Sequence, residues 1–274
     1  MLNVGIINIT GYAGAEIARL VYSHPELKLV SATGRSKAGK DLSEVFPHLE
    51  KTDIKIREEL SDNVEFVFSA LPHAASAEKL SQYVDSSIPA IDISADFRLK
   101  DLSTYEDWYD IKHPRPELID QATYGLPEIH RDDIKKSKLV ANPGCFPTGA
   151  ILSMSPAVKN DLIEDMIIID SKTGVSGAGR TAKEAFGFSE LNDNCLAYGT
   201  KGHRHQPEIA QELNFLTNHE INVLFTPHLV SMTRGILGTN YGMLKKNLTE
   251  KDAVELYKEF YKSEPFIKIV DAPP

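Results

Sequence analysis

Residues 2–34, "LNVGIINITGYAGAEIARLVYSHPELKLVSATG", decide how the rest of the chain is read. "LNVGIINI" (2–9) is a short apolar run dominated by β-branched residues and predicts a buried strand. It stops at the turn "TGYAG". The next segment, "AEIARLVYSHP", has helical spacing, with Ile17, Leu20 and Val21 on one face, and ends before Pro25. "LKLVSATG" (27–34) predicts a second strand. Strand, glycine turn, helix and strand within about 30 residues is the size of a βαβ unit. Its crossover is right-handed, which makes the two strands parallel.

The rhythm continues outward. "VEFVFSALP" (64–72) predicts a strand running into a proline loop, "AASAEKLSQYV" a helix, and "PAIDIS" (89–94) another strand. This is the pattern of a doubly wound α/β sheet. Residues 97–138 are more polar and aromatic, and "KLVANPG" (138–144) supplies one more strand and a turn that closes a first domain, residues 1–146. Residues 147–274 have a different texture. A helix over about 148–159 and a strand "MIIIDSK" (166–172) precede "TGVSGAGRTAKEAFG", which has no period and predicts a loop over a site. "PEIAQELNFLTN" predicts a helix opened by Pro207. "INVLFTPHLV" and "GILGTNYGMLKK" predict long strands, "TEKDAVELYKEFYKSE" a helix capped by Thr249, and "PFIKIVD" (265–271) a last strand. The second half is therefore α+β.

Composition removes several function classes. The 274 residues carry 30 basic and 39 acidic side chains, a net charge of −9, so a broad basic footprint for nucleic acid is absent. Two cysteines, Cys145 and Cys195, have no metal-ligand or disulfide spacing, which fits a reducing cytoplasm and predicts no metal site. The N-terminus has no basic region with a cleavage site, and no apolar run approaches the length of a membrane span.

Two places carry chemistry. In "GIINITGYAGAEIARL" the turn between the first strand and first helix holds Gly11 and Gly14, with Thr10, Tyr12 and Ala13 between and beside them. Amides at that helix start would face a phosphate, and the glycines would let it approach closely. A tight turn with no ligand is the plainer reading, but the strand-turn-helix setting favours a dinucleotide. No acidic residue closes the second strand; "SATGRSKAGK" follows it, and Arg35 with Ser36 suits a 2′-phosphate, so NADP is preferred over NAD. "RSK" also reads as a solvated loop. The second place is "ANPGCFPTG" (141–149). A helix starting near Pro147 or Thr148 would direct its positive end at Cys145 and favour the thiolate; a small buried thiol is the alternative. "KGHRHQPEI" offers His203 and His205, "SGAGR" offers Arg180, and "TPHLVSMTRG" offers His228 and Arg234. A cysteine acyl-transfer enzyme needs a histidine for protons and arginines for an anionic substrate.

Taken together, "TGYAGAEIARL", "ALPH", "IDISADFRL", "YGLPEI", "ANPGCFPTGA", "SGAGR", "GHRHQPEI" and "FTPHLVSMTRGIL" resemble the N-acetyl-γ-glutamyl-phosphate reductases, in that family's order and over nearly the whole chain. The resemblance implies a Rossmann-type nucleotide domain followed by an α+β catalytic and dimerisation domain of the semialdehyde dehydrogenase type. It implies NADPH as cofactor, Cys145 as nucleophile and the "HRH" pair as source of the proton-transfer histidine. We favour His205 in that role and keep His203 as a substrate-binding residue or alternative base. Arg180, Arg234 and Arg98 are the candidates for holding an acyl-phosphate substrate. The family also implies a homo-oligomer, dimer or tetramer. Relatives acting on aspartyl or aminoadipyl phosphate, and a non-catalytic nucleotide-binding paralogue, are the competing readings. Two departures stand out: Asn8 occupies a position where the family has glycine, and the family's C-terminal segment beyond "PFIKIVDAPP" is expected to be missing.

Overall fold

The computed structural model describes residues 1–181 and 183–271. The chain divides into two compact units, one formed by Met1–Gly144 with Ala178–Thr181, the other by Cys145–Gly177 with the described residues after Thr181.

In the first unit the elements follow as β1 (Leu2–Ile7), α1 (Tyr12–Ser23), β2 (Leu27–Thr33), α2 (Leu42–Val45), β3 (Ile56–Arg57), β4 (Phe66–Ser69), α3 (Ala75–Asp85), β5 (Ala90–Asp92), α4 (Leu102–Tyr109), β6 (Ala122–Tyr124), α5 (Pro127–Ile134) and β7 (Leu139–Ala141). Among the described residues these strands form one sheet in the order β3-β2-β1-β4-β5-β7-β6. All of its pairings are parallel. Such a sheet needs cover on both faces, and its central strands β1 and β4 are accordingly mainly apolar. Val4 and Ile6 of β1 pack with Ala15, Ala18 and Val21 of α1. Ile7 and Val67 pack with Ala77 and Leu80 of α3 in a second cluster. Strand order reverses at β1, between β2 and β4, and the carboxyl ends at such a switch point are where α/β sheets bind ligands. The doubly wound expectation is met. The sequence predicts neither β3, which has two residues, nor β6, which lies in the polar stretch 97–138.

The second unit contains α6 (Cys145–Lys159), β8 (Ile163–Thr173), α7 (Phe188–Leu191), β9 (Cys195–Ala197), α8 (His205–Asn214), β10 (Asn222–Val230), β11 (Ile236–Leu244) and α9 (Glu250–Phe260). Its sheet runs β11-β8-β10-β9. β8 and β10 are parallel, with Met166 opposite Asn222 and Thr173 opposite Leu229, and the outer pairings are antiparallel. Along β8 and β10 the side chains alternate: Ile167, Ile169, Val223 and Phe225 are buried, whereas Met166, Ile168 and Leu224 are exposed, as are Tyr241 and Met243 of β11. One face of this sheet is therefore covered by its own helices and the other presents apolar side chains outward.

Three boundaries differ from the sequence reading. α6 starts at Cys145 itself, with Pro147 inside its first turn, where a missing N–H leaves no helical bond unmade. α8 starts at His205, two residues before Pro207. Residues 265–271, read as a last strand, are not one. Alternating apolar residues make a strand only with a neighbouring ladder to join, and this segment pairs with no strand among the described residues; Pro265 lacks an N–H and Phe266 is 92% exposed. Thr249 caps α9 as read, its hydroxyl accepting from the Asp252 N–H at 3.1 Å.

Candidate active site

The nucleotide end is built at the carboxyl side of β1. Helical bonding in α1 opens with the Ala15 N–H donating to Gly11 O (3.0 Å), so the amides of residues 12–14 form the first turn ahead of it. A Cβ placed on Gly11 would meet nothing within 4 Å, whereas one on Gly14 would lie 2.5 Å from Asn8 O and 2.6 Å from Ile9 Cα. Gly14 is thus dictated by the close seating of α1 on the loop, and the space beside Gly11 is what an approaching pyrophosphate needs. Asn8 sits at φ 62°, a left-handed conformation that Asn tolerates better than most residues. Its Nδ2 donates to Ala70 O (2.8 Å), turning the amide toward the end of β4, and its N–H donates to Thr33 Oγ1 (3.2 Å).

A cavity of about 540 Å³ opens here, lined by Asn8, Thr10, Gly34, Arg35, Ser36, Leu71, Pro72 and Ala75, with the carboxylates Glu58, Glu59 and Glu78 and the Lys79 cation also on its wall. Of the sequence candidates, Thr10, Arg35 and Ser36 line it; Gly11, Tyr12, Ala13 and Gly14 form the α1 start beside it. Arg35, Ser36 and the amides of the helix start fit a dinucleotide phosphate, whereas Lys79 is paired with Glu59. Arg180 also falls in this first unit. Its guanidinium lies 4.5 Å from the centre of the Phe46 ring, with Nη1 donating to Thr10 O (3.2 Å) and Nη2 to Val45 O (3.5 Å). Arg98 is 7% exposed; its Nε donates to Asn142 O (2.7 Å) and Nη2 to Ile93 O (2.7 Å), tying the end of β5 to the turn that leads into "PGC".

In the second unit, Cys145 is exposed and is the first residue of α6. That places its sulfur at the positive end of a 15-residue helix, where an anion is stabilised. Next to it, Phe146 packs edge-on against both His203 (5.9 Å between centroids) and His205 (5.8 Å), and the two imidazoles are 4.7 Å apart. Phe225 of β10 closes the far side, 5.3 Å from His203. The structure therefore brings Phe146, the neighbour of Cys145 in the first turn of α6, together with His203 and His205 at the start of α8 in one aromatic cluster.

The two histidines differ. The His205 N–H donates to His203 Nδ1 (3.2 Å), so the neutral His203 ring carries its proton on Nε2 and can only donate from there. Burial, with the Arg204 cation adding to it, pushes the His203 pKa down to about 4, which keeps the ring neutral. His205 opens α8, with Glu208 one turn further along and 1% exposed.

Tyr198 was not singled out from sequence. Its ring meets His203 at 5.7 Å, and its pKa is pushed up to about 12 by burial and then by the neighbouring Cys145, so its hydroxyl stays protonated. The close approach is made possible by Gly199, at φ 59°, where a Cβ would lie 3.1 Å from the His203 ring. Arg234 lies in the turn between β10 and β11, whose Gly235 O accepts the Gly174 N–H (3.0 Å). His228 faces Asp170 (3.0 Å) from β10 and Cys195 lies on β9. No group of metal-ligating side chains occurs among the described residues.

Comparison with known proteins places both units. Residues 3–137 match the model of the semialdehyde dehydrogenase NAD binding domain, and residues 145–274 match that of the semialdehyde dehydrogenase dimerisation domain. The N-acetyl-gamma-glutamyl-phosphate reductase of Dehalococcoides mccartyi is 52% identical over 271 residues, covering 98% of this chain and 80% of the relative. Among solved structures, aspartate semialdehyde dehydrogenase II of Vibrio cholerae has a TM-score of 0.71 at 15% identity, covering 94% of this chain and 79% of that one. Aspartate semialdehyde dehydrogenase of Candida albicans, solved with NADP, has a TM-score of 0.67 at 15% identity over 96% of this chain and 76% of that one. At that identity the two structures speak for the fold alone. No described helix is long and apolar enough to cross a membrane.

Proposed function

This chain belongs to the N-acetyl-gamma-glutamyl-phosphate reductases of the semialdehyde dehydrogenase family, and from that premise we propose that it reduces N-acetyl-L-glutamyl 5-phosphate to N-acetyl-L-glutamate 5-semialdehyde with NADPH, releasing phosphate. The reaction is a step of arginine biosynthesis in the cytoplasm. The observation that carries this reading is the seating of Phe146, next to Cys145 at the start of α6, against His203 and His205 at the start of α8, with Cys145 near enough to Tyr198 to raise its pKa.

Cys145 is the nucleophile and His205 its base. His205 takes the thiol proton, the sulfur attacks the acyl carbon, and the tetrahedral oxyanion collapses with cleavage of the carbon–oxygen bond to phosphate. The proton passes to the departing phosphate, and a thioester remains on Cys145. When bound, NADPH supplies the hydride that reduces this thioester carbon. The resulting thiohemiacetal oxyanion collapses to the aldehyde and returns Cys145 as thiolate. Backbone N–H groups in the first turn of α6 stabilise both oxyanions, a contribution of about 3 to 4 kcal/mol per donor. His203, a donor at Nε2, and Tyr198, a protonated hydroxyl, suit hydrogen bonds to substrate oxygens. Arg234 and Arg180 are the cations assigned to the substrate's phosphate and carboxylate; the Arg98 guanidinium, buried and donating to the Asn142 and Ile93 carbonyls, suits holding the turn that leads to Cys145 instead. Of these, the contacts of Arg180 with Thr10 and Phe46 support a share in holding the nucleotide as well.

For the cofactor, Arg35 and Ser36 in the cavity lining after β2 support NADP over NAD. The outward apolar face of β8, β10 and β11 supports a homo-oligomer. The deciding experiment runs the reaction in reverse, with N-acetylglutamate semialdehyde, phosphate and NADP. Phosphate-dependent formation of NADPH, lost in Cys145→Ser, is expected. Full activity in that variant would remove the nucleophile, and preference for aspartate semialdehyde would move the chain to another substrate.

A further inference from the structure

The buried carboxylates Asp92 and Asp96, both 0% exposed, take no part in the chemistry above. Asp96 stands where α3 has no cap of its own. The residue before that helix is Ala74, which offers no side-chain bond and sits at φ 64°, ψ −48°. Such a backbone is strained for any residue but glycine and persists only where its surroundings impose it. Here they do: the Ala74 N–H donates to Asp96 Oδ1 (2.7 Å) and the Ala77 N–H to Asp96 Oδ2 (2.8 Å). The carboxylate is aimed in turn by the Tyr105 hydroxyl (2.8 Å to Oδ1), by its own N–H on Ser94 Oγ (3.1 Å), and by His113 Nε2 on its carbonyl (2.8 Å). Asp92 holds the next turn, accepting from the Ser76 and Ser94 hydroxyls at 2.5 and 2.6 Å.

What this arrangement fixes is one wall of the nucleotide cavity. Leu71, Pro72 and Ala75, with Glu78 and Lys79 further along α3, line it together with Thr10, Arg35 and Ser36. We infer that Asp96 is a positioning residue for the nicotinamide nucleotide: by capping α3 from a distant segment it holds Ala74 in its strained conformation and the wall of Leu71, Pro72 and Ala75 at the spacing the cofactor needs. The inference rests on the cofactor reading above and assigns that reading a residue which touches no ligand. Asp96 suits the task because a carboxylate satisfies two backbone donors on separate oxygens. An amide has one oxygen and must turn its NH2 toward one of them.

The test is Asp96→Asn, with NADPH binding followed by nucleotide fluorescence and amide exchange followed in the protein without nucleotide. We expect the NADPH Kd to rise about ten-fold, with kcat of the reverse reaction at saturating NADP and the semialdehyde KM both within about two-fold of wild type. The Ala77 amide should exchange faster. Ala74→Gly, which keeps both N–H bonds and relieves the strain, should bind NADPH within about two-fold of wild type. Wild-type NADPH affinity in Asp96→Asn overturns the inference, as does a parallel rise in the semialdehyde KM, the mark of general loosening. Should Asp96→Asn fail to fold, Tyr105→Phe removes one of the donors that aim the carboxylate and should raise the Kd about two- to three-fold; no change overturns the inference. A wild-type protein that binds no NADPH while Asp96→Asn still speeds Ala77 exchange refutes the cofactor reading and leaves the capping role standing.

Discussion

Asn8 offers a measurement in which backbone conformation and one hydrogen bond separate. It holds φ 62° and donates from Nδ2 to Ala70 O. Asn8→Ala loses that bond, about 1 kcal/mol net, and places an alanine in a left-handed well that costs it about 1 kcal/mol more than asparagine. The sum is about 2 kcal/mol. Asn8→Gly loses the same bond but not the conformational fit; the extra freedom of glycine in the unfolded chain costs about 0.5 to 1 kcal/mol, against which relief of the left-handed strain is set. Its net loss is about 1 kcal/mol. With a urea slope of about 2.5 kcal/mol per M for a domain of this size, the alanine midpoint should lie about 0.4 M below the glycine midpoint. Trp108, the single tryptophan, lies in α4 and makes its fluorescence a probe of the first unit alone. An alanine variant as stable as the glycine variant, at equal slope, would refute the account. Because the Asn8 amide is bonded to Ala70, Asn8→Gly should also bind NADPH within about two-fold of wild type.

Arg35→Ala should raise the KM for NADPH by about 10- to 100-fold, the worth of a charge-assisted bond to a 2′-phosphate, and leave the KM for NADH nearly unchanged; equal effects on both cofactors would place Arg35 outside the site. Asp92 is held protonated up to a pKa of about 6, by burial first and by the Asp96 charge second, against an ordinary value near 3.9. The folded state thus keeps a proton that the unfolded chain releases, so this stabilisation is complete below about pH 4 and lost as pH rises through about 6. Asp92→Asn should therefore gain up to about 3 kcal/mol at pH 7.5 and progressively less toward pH 4, read from urea midpoints; an equal gain at both pH values would exclude linkage to this group. Leu224→Glu, on the outward face of β10, should convert an oligomer to monomer in sedimentation, and an unchanged sedimentation coefficient would assign the contact to another surface.

Much of the first unit could be read from the chain because its signals are local. A β-branched run, a glycine turn and a 3.6-residue period each lie within one element, and β1, α1 and β2 follow them closely. What escaped is what depends on distant partners. β3 has only two residues and β6 lies in the polar, aromatic stretch 97–138 without an apolar run of its own; both exist through pairing with β2 and β7. The "PFIKIVD" segment has the alternation of a strand without a ladder to join. Tyr198 lies in an aperiodic stretch, and only the fold seats its ring on His203. Arg180 follows a glycine-rich run with no fixed direction, and its seat on Phe46 comes from residues far back in the chain. In "IDISADFRL" the arginine attracted attention, whereas the capping role of Asp96 toward α3 has no local mark.

The parallel pairing of β8 with β10 makes chemistry a reporter of folding. Everything between those strands, residues 174–221, is the crossover that joins them, and it carries Tyr198, His203 and His205. The cage around Phe146 closes only when that long loop has closed, which is the slow, non-local kind of event. Before it, Cys145 is a thiol on a nascent helix; after it, the thiol has its base beside it. During refolding, the rate at which a small alkylating reagent captures Cys145 should therefore change in a single phase together with sheet formation, giving a clock for the second unit that needs no substrate.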